Sequence, residues 1–472
     1  MNNKLFNYLF KKAELFLVIF LMFLFTGGIV LDFVGSNIAF ALTVLLIFVY
    51  KGKPFLTLFK DKWLLFTLIY CGLSIVWSVS ADQTIERFIS LIGTTLFGVF
   101  IAWRYTVREI VKLTAISLGV LAFVSLVYVV ILPSYAVDLN GHWKGSTVHK
   151  NFLGGFMALG SFSLLLMAIN IKKNKFKIML MFALSLLVIY KSGSTSGLIV
   201  FLIVIATSYL IKILRVNKKI LVSVVMFIPI VVAVLVFGVF TKAEYFAKLF
   251  GKDLTFTGRT EIWQLVIQKI LEHPILGYGY NAFWFNSTEY SYVWRYLTFG
   301  PSHAHNGYLE LLLDIGFFGC VLFFSGFLIN FFKATKMYIK YGTIEVIWML
   351  GLFIIMLTSN VTEVTFIRTN SLYWVLYVSS VLSLRSKGVK ISSKCVITET
   401  VIAVSHLTDV KKLLANIKKR NRKSINEMIN QGLAFRIKKG SQVEVLNDTH
   451  TFILVRDKNT NKSGFIKRRY LS

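Results

Sequence analysis

Cysteine is almost absent from this chain, and what there is has no useful spacing. Cys71 and Cys320 fall in apolar runs and Cys395 in a polar tail, with neither pairing nor metal-ligand intervals, which excludes a disulfide framework and a structural zinc site. Charge is also scarce, at 16% of 472 residues, and acidic charge scarcest: 22 Asp and Glu stand against 52 Lys and Arg. A clear small-residue cleavage site is missing after the N-terminal basic-then-apolar segment, and its apolar part outruns a signal-peptide core. That segment reads as a first membrane span.

What the chain has in abundance is hydrocarbon. It is 56% hydrophobic and 15% aromatic, with 43 Phe, and apolar runs of about 15 to 22 residues recur along it. They centre near 15–34, 37–50, 63–79, 88–103, 111–132, 152–171, 177–190, 197–214, 220–240, 306–332, 344–358 and 371–384. The pattern predicts an all-α polytopic membrane protein of about twelve transmembrane helices. Every second connector is basic, as in Lys51, Lys53, Lys60 and Lys62, or Lys172, Lys173, Lys175 and Lys177. Placing these in the cytoplasm puts the N-terminus inside and, with an even span count, the C-terminus too. The remaining connectors, 80–87, 134–151, 191–196, 241–305 and 359–370, then face outwards, and 241–305 is a large extracytoplasmic loop. The same segregation explains the net charge of +30 without a nucleic-acid partner; membrane lipid is the expected surrounding.

Beyond Lys387 the composition turns basic and polar. Residues 388–431 read as a basic, partly helical linker and 432–472 as a small β module, making the tail a small α+β or SH3-like unit. Alternating EVL and FILVR predict strands, with turn clusters at Asn447-Asp448 and Asn459 to Gly464. Gly440, Val443, Val445, Val455, Gly464, Phe465, Ile466, Tyr470 and Leu471 carry a loose resemblance to bacterial SH3-type barrels, which implies a protein partner for this module.

Polar chemistry concentrates in one stretch, 255–319, which contains Arg259, His273, Arg295, His303, His305, Glu310 and Asp314. TGRTEIW followed by HPILGYGYNAF, then HAHNGYLELLLDIGFFG, with HKNFLGGFMALG and SGSTSG upstream, resemble the O-antigen ligase and polymerase family over residues 10–385. The resemblance implies a bacterial cytoplasmic-membrane glycosyltransferase working on the outer face. Its donor would be an undecaprenyl-diphosphate-linked oligosaccharide and its acceptor a hydroxyl of a glycan, lipid or wall polymer.

Such a transfer needs fixed positive charge for the diphosphate and a base near the attacking hydroxyl. Arg259 suits the first role, because a guanidinium fork donates paired hydrogen bonds and stays charged; its bland alternative is a partner in Glu261 or in lipid headgroups. His305 is the expected base or hydroxyl-orienting group, although His305 and Asn306 equally suit a helix N-terminus, with Glu310 in its first turn. Glu310 and Asp314, four apart, share a helix face; Glu310 is the third catalytic candidate. Arg295, His303, Asn306, Lys150, Asn151 and Arg87 are expected to bind substrate, with Lys191 and Arg368 as further outer cations and His149 as a sugar or phosphate contact. His273, before Pro274, reads as structural, and Asp32, Asp82 and Glu86 are rival bases.

The outward connectors contain no Asp-x-Asp pair and no His and acid cluster at metal-ligating intervals, so metal-independent transfer without a cofactor is expected, and direct displacement would make it inverting. Two other classes fit the composition. A flippase for lipid-linked glycans would show two similar halves with broken midplane helices, whereas polar residues here gather late in the chain. A membrane scaffold would act through its C-terminal module.

Overall fold

The computed structural model describes residues 2–27, 32–170, 174–214, 259–297, 300–385, 394–396, 399–405, 409–418, 421–448, 452–457, 459–460 and 462–467. The apolar run at 220–240, the loop segment 241–258, and Tyr470 and Leu471 lie outside them. Two compact units are present, Met1–Ser386 and Lys387–Ser472.

The first unit is helical. Its elements are α1 (Asn2–Leu24), α2 (Asp32–Val49), α3 (Lys62–Leu73), α4 (Ala81–Arg104), α5 (Val107–Ile131), α6 (Pro133–Ala136), α7 (Lys150–Asn170), α8 (Lys175–Ser192), α9 (Thr195–Leu214), α10 (Arg259–Glu272), α11 (Ser287–Arg295), α12 (Gly307–Tyr341), α13 (Ile344–Ser359) and α14 (Leu372–Arg385). Among the described residues, five helices are long and apolar enough to cross a membrane: α4, α5, α7, α9 and α12. A sixth arises if Asn37–Val49 and Lys53–Lys60, bent by 103°, are taken as one span. Several runs expected to span form shorter helices. The 16 residues of α13 rise only about 24 Å, against about 30 Å of hydrocarbon. Both α13 and α14 are buried along almost their whole length. A helix apolar on every side is what the middle of a bundle demands, and by composition it looks the same as a lipid-facing span.

Ion pairs between buried acids and half-buried arginines tie helix ends together. Arg104 donates to Glu14 (Nε to Oε1, 2.7 Å), which also accepts from the hydroxyls of Tyr105 and Tyr50. Arg385 meets Asp61 at 2.7 Å, and Asp61 also caps α3 through the Leu64 N–H. Arg108 meets Glu345 at 2.6 Å.

The long helix α12 is broken. Gly316 has φ 62° and ψ −173°, a conformation essentially reserved for glycine. The segment 274–279 fills the gap: Phe317 and Phe318 donate their N–H groups to the carbonyls of Pro274 and Ile275 (2.8 and 3.1 Å), while Tyr278 and Gly279 donate to Leu313 and Asp314 (2.8 and 3.0 Å). Backbone groups that an unbroken helix would pair internally are thus satisfied by the HPILGYGY segment. His273 packs edge-on against Tyr278 at the start of this turn, 4.6 Å between ring centres.

The second unit contains α15 (Asp409–Lys418), α16 (Arg422–Asn430) and six strands: β1 (Lys394–Val396), β2 (Val401–Val404), β3 (Ala434–Ile437), β4 (Gln442–Asp448), β5 (Phe452–Asp457) and β6 (Ser463–Lys467). They form one antiparallel sheet in the order β1-β4-β5-β6-β2-β3. The alternation of the tail correctly announced a small antiparallel sheet. It is larger than a barrel confined to 432–472, because β1 and β2 come from the stretch that reads as a linker and pair with β4, β3 and β6. Asn447 and Asp448 end β4 after a register shift at Val445, where the composition suggested a turn.

An Ala at 316 would carry a Cβ 2.3 Å from the Ile275 carbonyl oxygen and force a left-handed φ. Gly316→Ala is therefore expected to destabilise the folded chain by at least about 1–3 kcal/mol. Thermal unfolding in detergent measures this, and an unchanged transition would contradict the break as described.

Candidate active site at the loop end of the bundle

Residues 259–306 carry their own core. Apolar residues of α10 at 262, 266 and 270 recur every four positions and face inwards, where Ile262, Trp263 and Val266 pack with Phe283, Trp284 and Val293. This core grips the HAHN segment. Trp263 donates its indole N–H to the Ala304 carbonyl at 2.9 Å. From the other side Glu310 accepts the Ala304 N–H (2.7 Å) and the Trp284 indole N–H (3.3 Å). Ala304, between the two histidines, is thus fixed at both its backbone polar groups.

Asn306 is the N-cap of α12: its side chain accepts from Tyr308 and Leu309 N–H (3.0 and 3.1 Å) and donates to the Val361 carbonyl (3.1 Å). The Gly307 N–H donates to the Asn360 carbonyl (2.8 Å), and a Cβ at 307 would collide with the Asn360 amide. Between these anchors His305 adopts φ 51°, an uncommon left-handed backbone for a residue with a side chain. Such local strain persists where the surroundings over-determine it, a frequent mark of functional sites.

The anchors bring four segments to one point. The rings of His303 and His305 lie 4.0 Å apart. Glu363, from the connector after α13, accepts from Arg259 Nη2 at 3.2 Å and from Asn151 Nδ2 at 3.0 Å. One nitrogen on each histidine, Nε2 of His303 and Nδ1 of His305, is buried with no hydrogen-bond partner among the described residues. Burial lowers the basicity of both imidazoles, and neighbouring positive charge lowers it further: His305, beside Arg259, His149 and Arg368, falls to about 4, and His303 to about 2. His149 is lowered for the same reasons, burial first and then Arg259. Burial raises Glu363, with Arg259 and Asn151 opposing that rise.

No metal-spaced cluster was visible in the linear sequence, yet the fold assembles one group with that geometry. Donor atoms of His303, His305 and Glu363 all lie within 4.8 Å of one another. The spacing argument missed it because Glu363 arrives from a different connector. Its surroundings argue against a dication: the glutamate already accepts from Arg259 and Asn151, and the field that disfavours imidazolium also repels a metal ion.

Other expected site residues lie elsewhere or are occupied. Glu310 is buried and holds the Ala304 backbone. Asp314 is buried, and its Oδ1 has no partner among the described residues. Lys150 pairs with Asp138 (3.3 Å) and lies 3.0 Å from His142 Nδ1. Arg295 is exposed at the end of α11, and Asp82 and Glu86 are exposed on α4. Arg87 stacks over Phe285, its guanidinium carbon 4.8 Å from the ring centre. Glu363, Trp263 and Trp284 had not been singled out from the sequence; an acid close to Arg368 in an otherwise uncharged connector was the available signal for the first.

Fold and site together define a helical, membrane-type protein whose late loop presents paired histidines among arginines. A family model described as O-antigen ligase matches residues 180–324, a span that takes in Arg259, His303, His305 and Glu310 and agrees with the resemblance carried by the motifs. Among curated proteins, the exopolysaccharide production protein ExoQ of Rhizobium meliloti (strain 1021) is 34% identical over 91 residues, 18% of this chain and 21% of that protein. The chain thus spans about a fifth of the length of the curated relative it matches.

Because His305 stays neutral down to about 4, it should keep reacting with diethyl pyrocarbonate at pH 5, where an ordinary imidazole of pKa 6.5 is mostly protonated and inert. Arg259→Gln removes a cation that disfavours protonation and should move the reactivity midpoint upwards. Mass-spectrometric mapping across pH 3.5–8 reads both, and a midpoint at 6.5 in the unsubstituted protein would contradict the described environment. The stability linkage has the same sign. Below pH 6.5 the unfolded chain takes up protons at this position that the folded one refuses, so the contribution of His305 to stability falls between pH 6.5 and about 4.

Proposed function

We propose that the chain is a glycosyltransferase of polysaccharide biosynthesis that moves an undecaprenyl-diphosphate-linked oligosaccharide onto a sugar hydroxyl at the extracytoplasmic face. The single observation that carries this reading is the close His303–His305 pair, held on a strained, over-anchored loop beside Arg259. The O-antigen ligase match over 180–324 supports it. The acceptor oxygen attacks the anomeric carbon, His305 takes the hydroxyl proton, and the bond to the diphosphate breaks with its electron pair leaving on phosphate. Direct displacement inverts the anomeric centre. Arg259 holds anionic charge near His305 while Glu363 and Asn151 fix its position, and His303 orients the acceptor.

The low basicity of His305 in the empty site suits this role. A bound diphosphate offsets the surrounding cationic field and strengthens the imidazole as a base once donor is present. The transfer proceeds without a metal ion, in a multi-pass protein of the cytoplasmic membrane with both termini cytoplasmic and about twelve membrane segments.

Purified protein given a defined lipid-linked oligosaccharide and candidate acceptors should produce either a longer polymer or a new conjugate, which one gel distinguishes. His305→Ala is expected to lower kcat by about 10²- to 10⁴-fold, and EDTA to leave the rate unchanged. Loss of transfer on chelation, restored by a divalent ion, would sink the metal-free mechanism. For sidedness, the exposed Ser302 replaced by Cys should label with a membrane-impermeant maleimide in intact cells. Labelling only after lysis would place the site on the wrong face for this function.

A further inference from the structure

A small polar cavity adjoins Glu363, lined by residues of α7, α9, α13 and α14. Its volume is about 20 Å³, and Glu363, Ser359, Tyr373, Gly155 and Ser196 are among the residues that line it. That is room for one water and for nothing larger, since a water needs about 10–15 Å³ of such space. Glu363, Ser359 and Tyr373 are each more than nine-tenths buried. The Tyr373 hydroxyl and Ser359 Oγ have no hydrogen-bond partner among the described residues, an arrangement that is costly for buried groups unless something else answers them. Both described bonds to the Glu363 carboxylate, from Arg259 and from Asn151, use Oε1.

The walls of this cavity are fixed from several sides. The Tyr373 ring stacks on Phe156, with 5.1 Å between centres and 15° between planes. The Ser359 carbonyl accepts the Glu363 N–H at 2.9 Å, so the serine holds the backbone of the residue whose carboxylate shares its cavity. Asn360, next in the chain, gathers the connector by accepting the Thr365 and Phe366 N–H groups on Oδ1 (2.8 and 3.3 Å). Gly155 keeps the space open, because a Cβ there would lie 3.2 Å from the Tyr373 hydroxyl oxygen. Arg259 already answers the charge of Glu363, which favours a neutral occupant over a cation.

We propose that this cavity binds one ordered water, which accepts from the Tyr373 hydroxyl and donates to the Glu363 carboxylate and to Ser359 Oγ. Three hydrogen bonds are the usual number for a buried water. Held through the water as well as through Oε1, the carboxylate keeps one orientation and presents Oε1 to Arg259. Tyr373 and Ser359 are thereby positioning residues for Arg259, and this part of the inference rests on the reading that Arg259 acts beside His305 in transfer.

The test uses the full-length chain in nanodiscs. Radicals formed from a bound water by an X-ray pulse oxidise the rings beside it, including rings that bulk solvent does not reach. Mapped by mass spectrometry, Tyr373 should be oxidised well above Tyr377, which is equally buried one turn further along α14. Gly155→Ala narrows the cavity at the hydroxyl and should lower Tyr373 oxidation to the Tyr377 level. Tyr373→Phe and Ser359→Ala should each slow transfer by about two- to tenfold, the scale of one lost hydrogen bond. Each should also raise the midpoint of His305 reactivity, by less than Arg259→Gln does. Either variant supplies the readout if the other folds poorly. On an Arg259→Gln background neither should slow transfer further, because their effect runs through that arginine.

Equal oxidation of Tyr373 and Tyr377 in the unsubstituted protein would overturn the water site. Normal transfer and an unmoved midpoint in folded Tyr373→Phe and Ser359→Ala would overturn the positioning role, and additive losses on Arg259→Gln would overturn the route through Arg259. Should Arg259→Gln alone leave transfer intact, the functional reading of that arginine fails and the positioning role with it, while the water site stands on the oxidation pattern.

Discussion

The constraint on which this structure depends is the break in α12 at Gly316. A helix interrupted inside an apolar bundle exposes N–H and carbonyl groups that lipid cannot satisfy. Here the segment 274–279 pairs with them at four points. That pairing locks the loop to the bundle independently of side chains. The nine residues before the break carry the histidine loop at their N-terminal end, and the loop core of α10, Phe283, Trp284 and α11 packs against Leu309 and Leu313 on the same short segment. A continuous α12 would leave HPILGYGY without its backbone partners and the HAHN turn without a fixed platform.

From that platform the site is assembled by reciprocal fixing. Ala304 is held through its carbonyl by Trp263 and through its N–H by Glu310; Asn306 spans the helix start and Val361; Asn360 receives Gly307. The acids close to the chemistry serve this framework. Glu310 secures backbone and Glu363 secures Arg259, while one nitrogen on each histidine is left without a partner among the described residues. Under the proposed function, that division of labour leaves a histidine as the proton acceptor in a region where carboxylates also lie within reach.

Much of this was legible in the sequence, for identifiable reasons. Apolar period and length announced a helical membrane protein, and the concentration of His, Arg and acid in 255–319 drew attention to the candidate site, because polar groups in apolar surroundings need a purpose. The capping reading of Asn306 could be made from residue type alone. What could not be read was whatever depends on long-range closure. Glu363 joins the histidines only through tertiary folding. Composition cannot separate a core helix such as α13 from a lipid-facing one, since both are apolar on every side. The strands β1 and β2 were hidden for a related reason: segments of three and four residues take β structure from their sheet partners rather than from their own propensity.

The scarcity of acids also explains how a strongly basic chain can place its positive charge. Arg87 and Arg104 lie on one helix, about 26 Å apart along its axis, in opposite electrostatic settings. At the Arg104 end each arginine is matched: Arg104 with Glu14, Arg108 with Glu345, and Arg385, at the far end of α14 from Arg368, with Asp61. Removing one partner of such a pair is far costlier than the net gain from having both, so these acids are committed to holding helix ends in register. At the Arg87 end neither Arg87 nor Arg368 forms an ion pair among the described residues, and the field of Arg259 and Arg368 reaches the histidines. The bundle therefore pairs its cations at one end and, among the described residues, leaves Arg87 and Arg368 without an ion pair at the other, a distribution that the scarcity of acid in the composition could not by itself reveal.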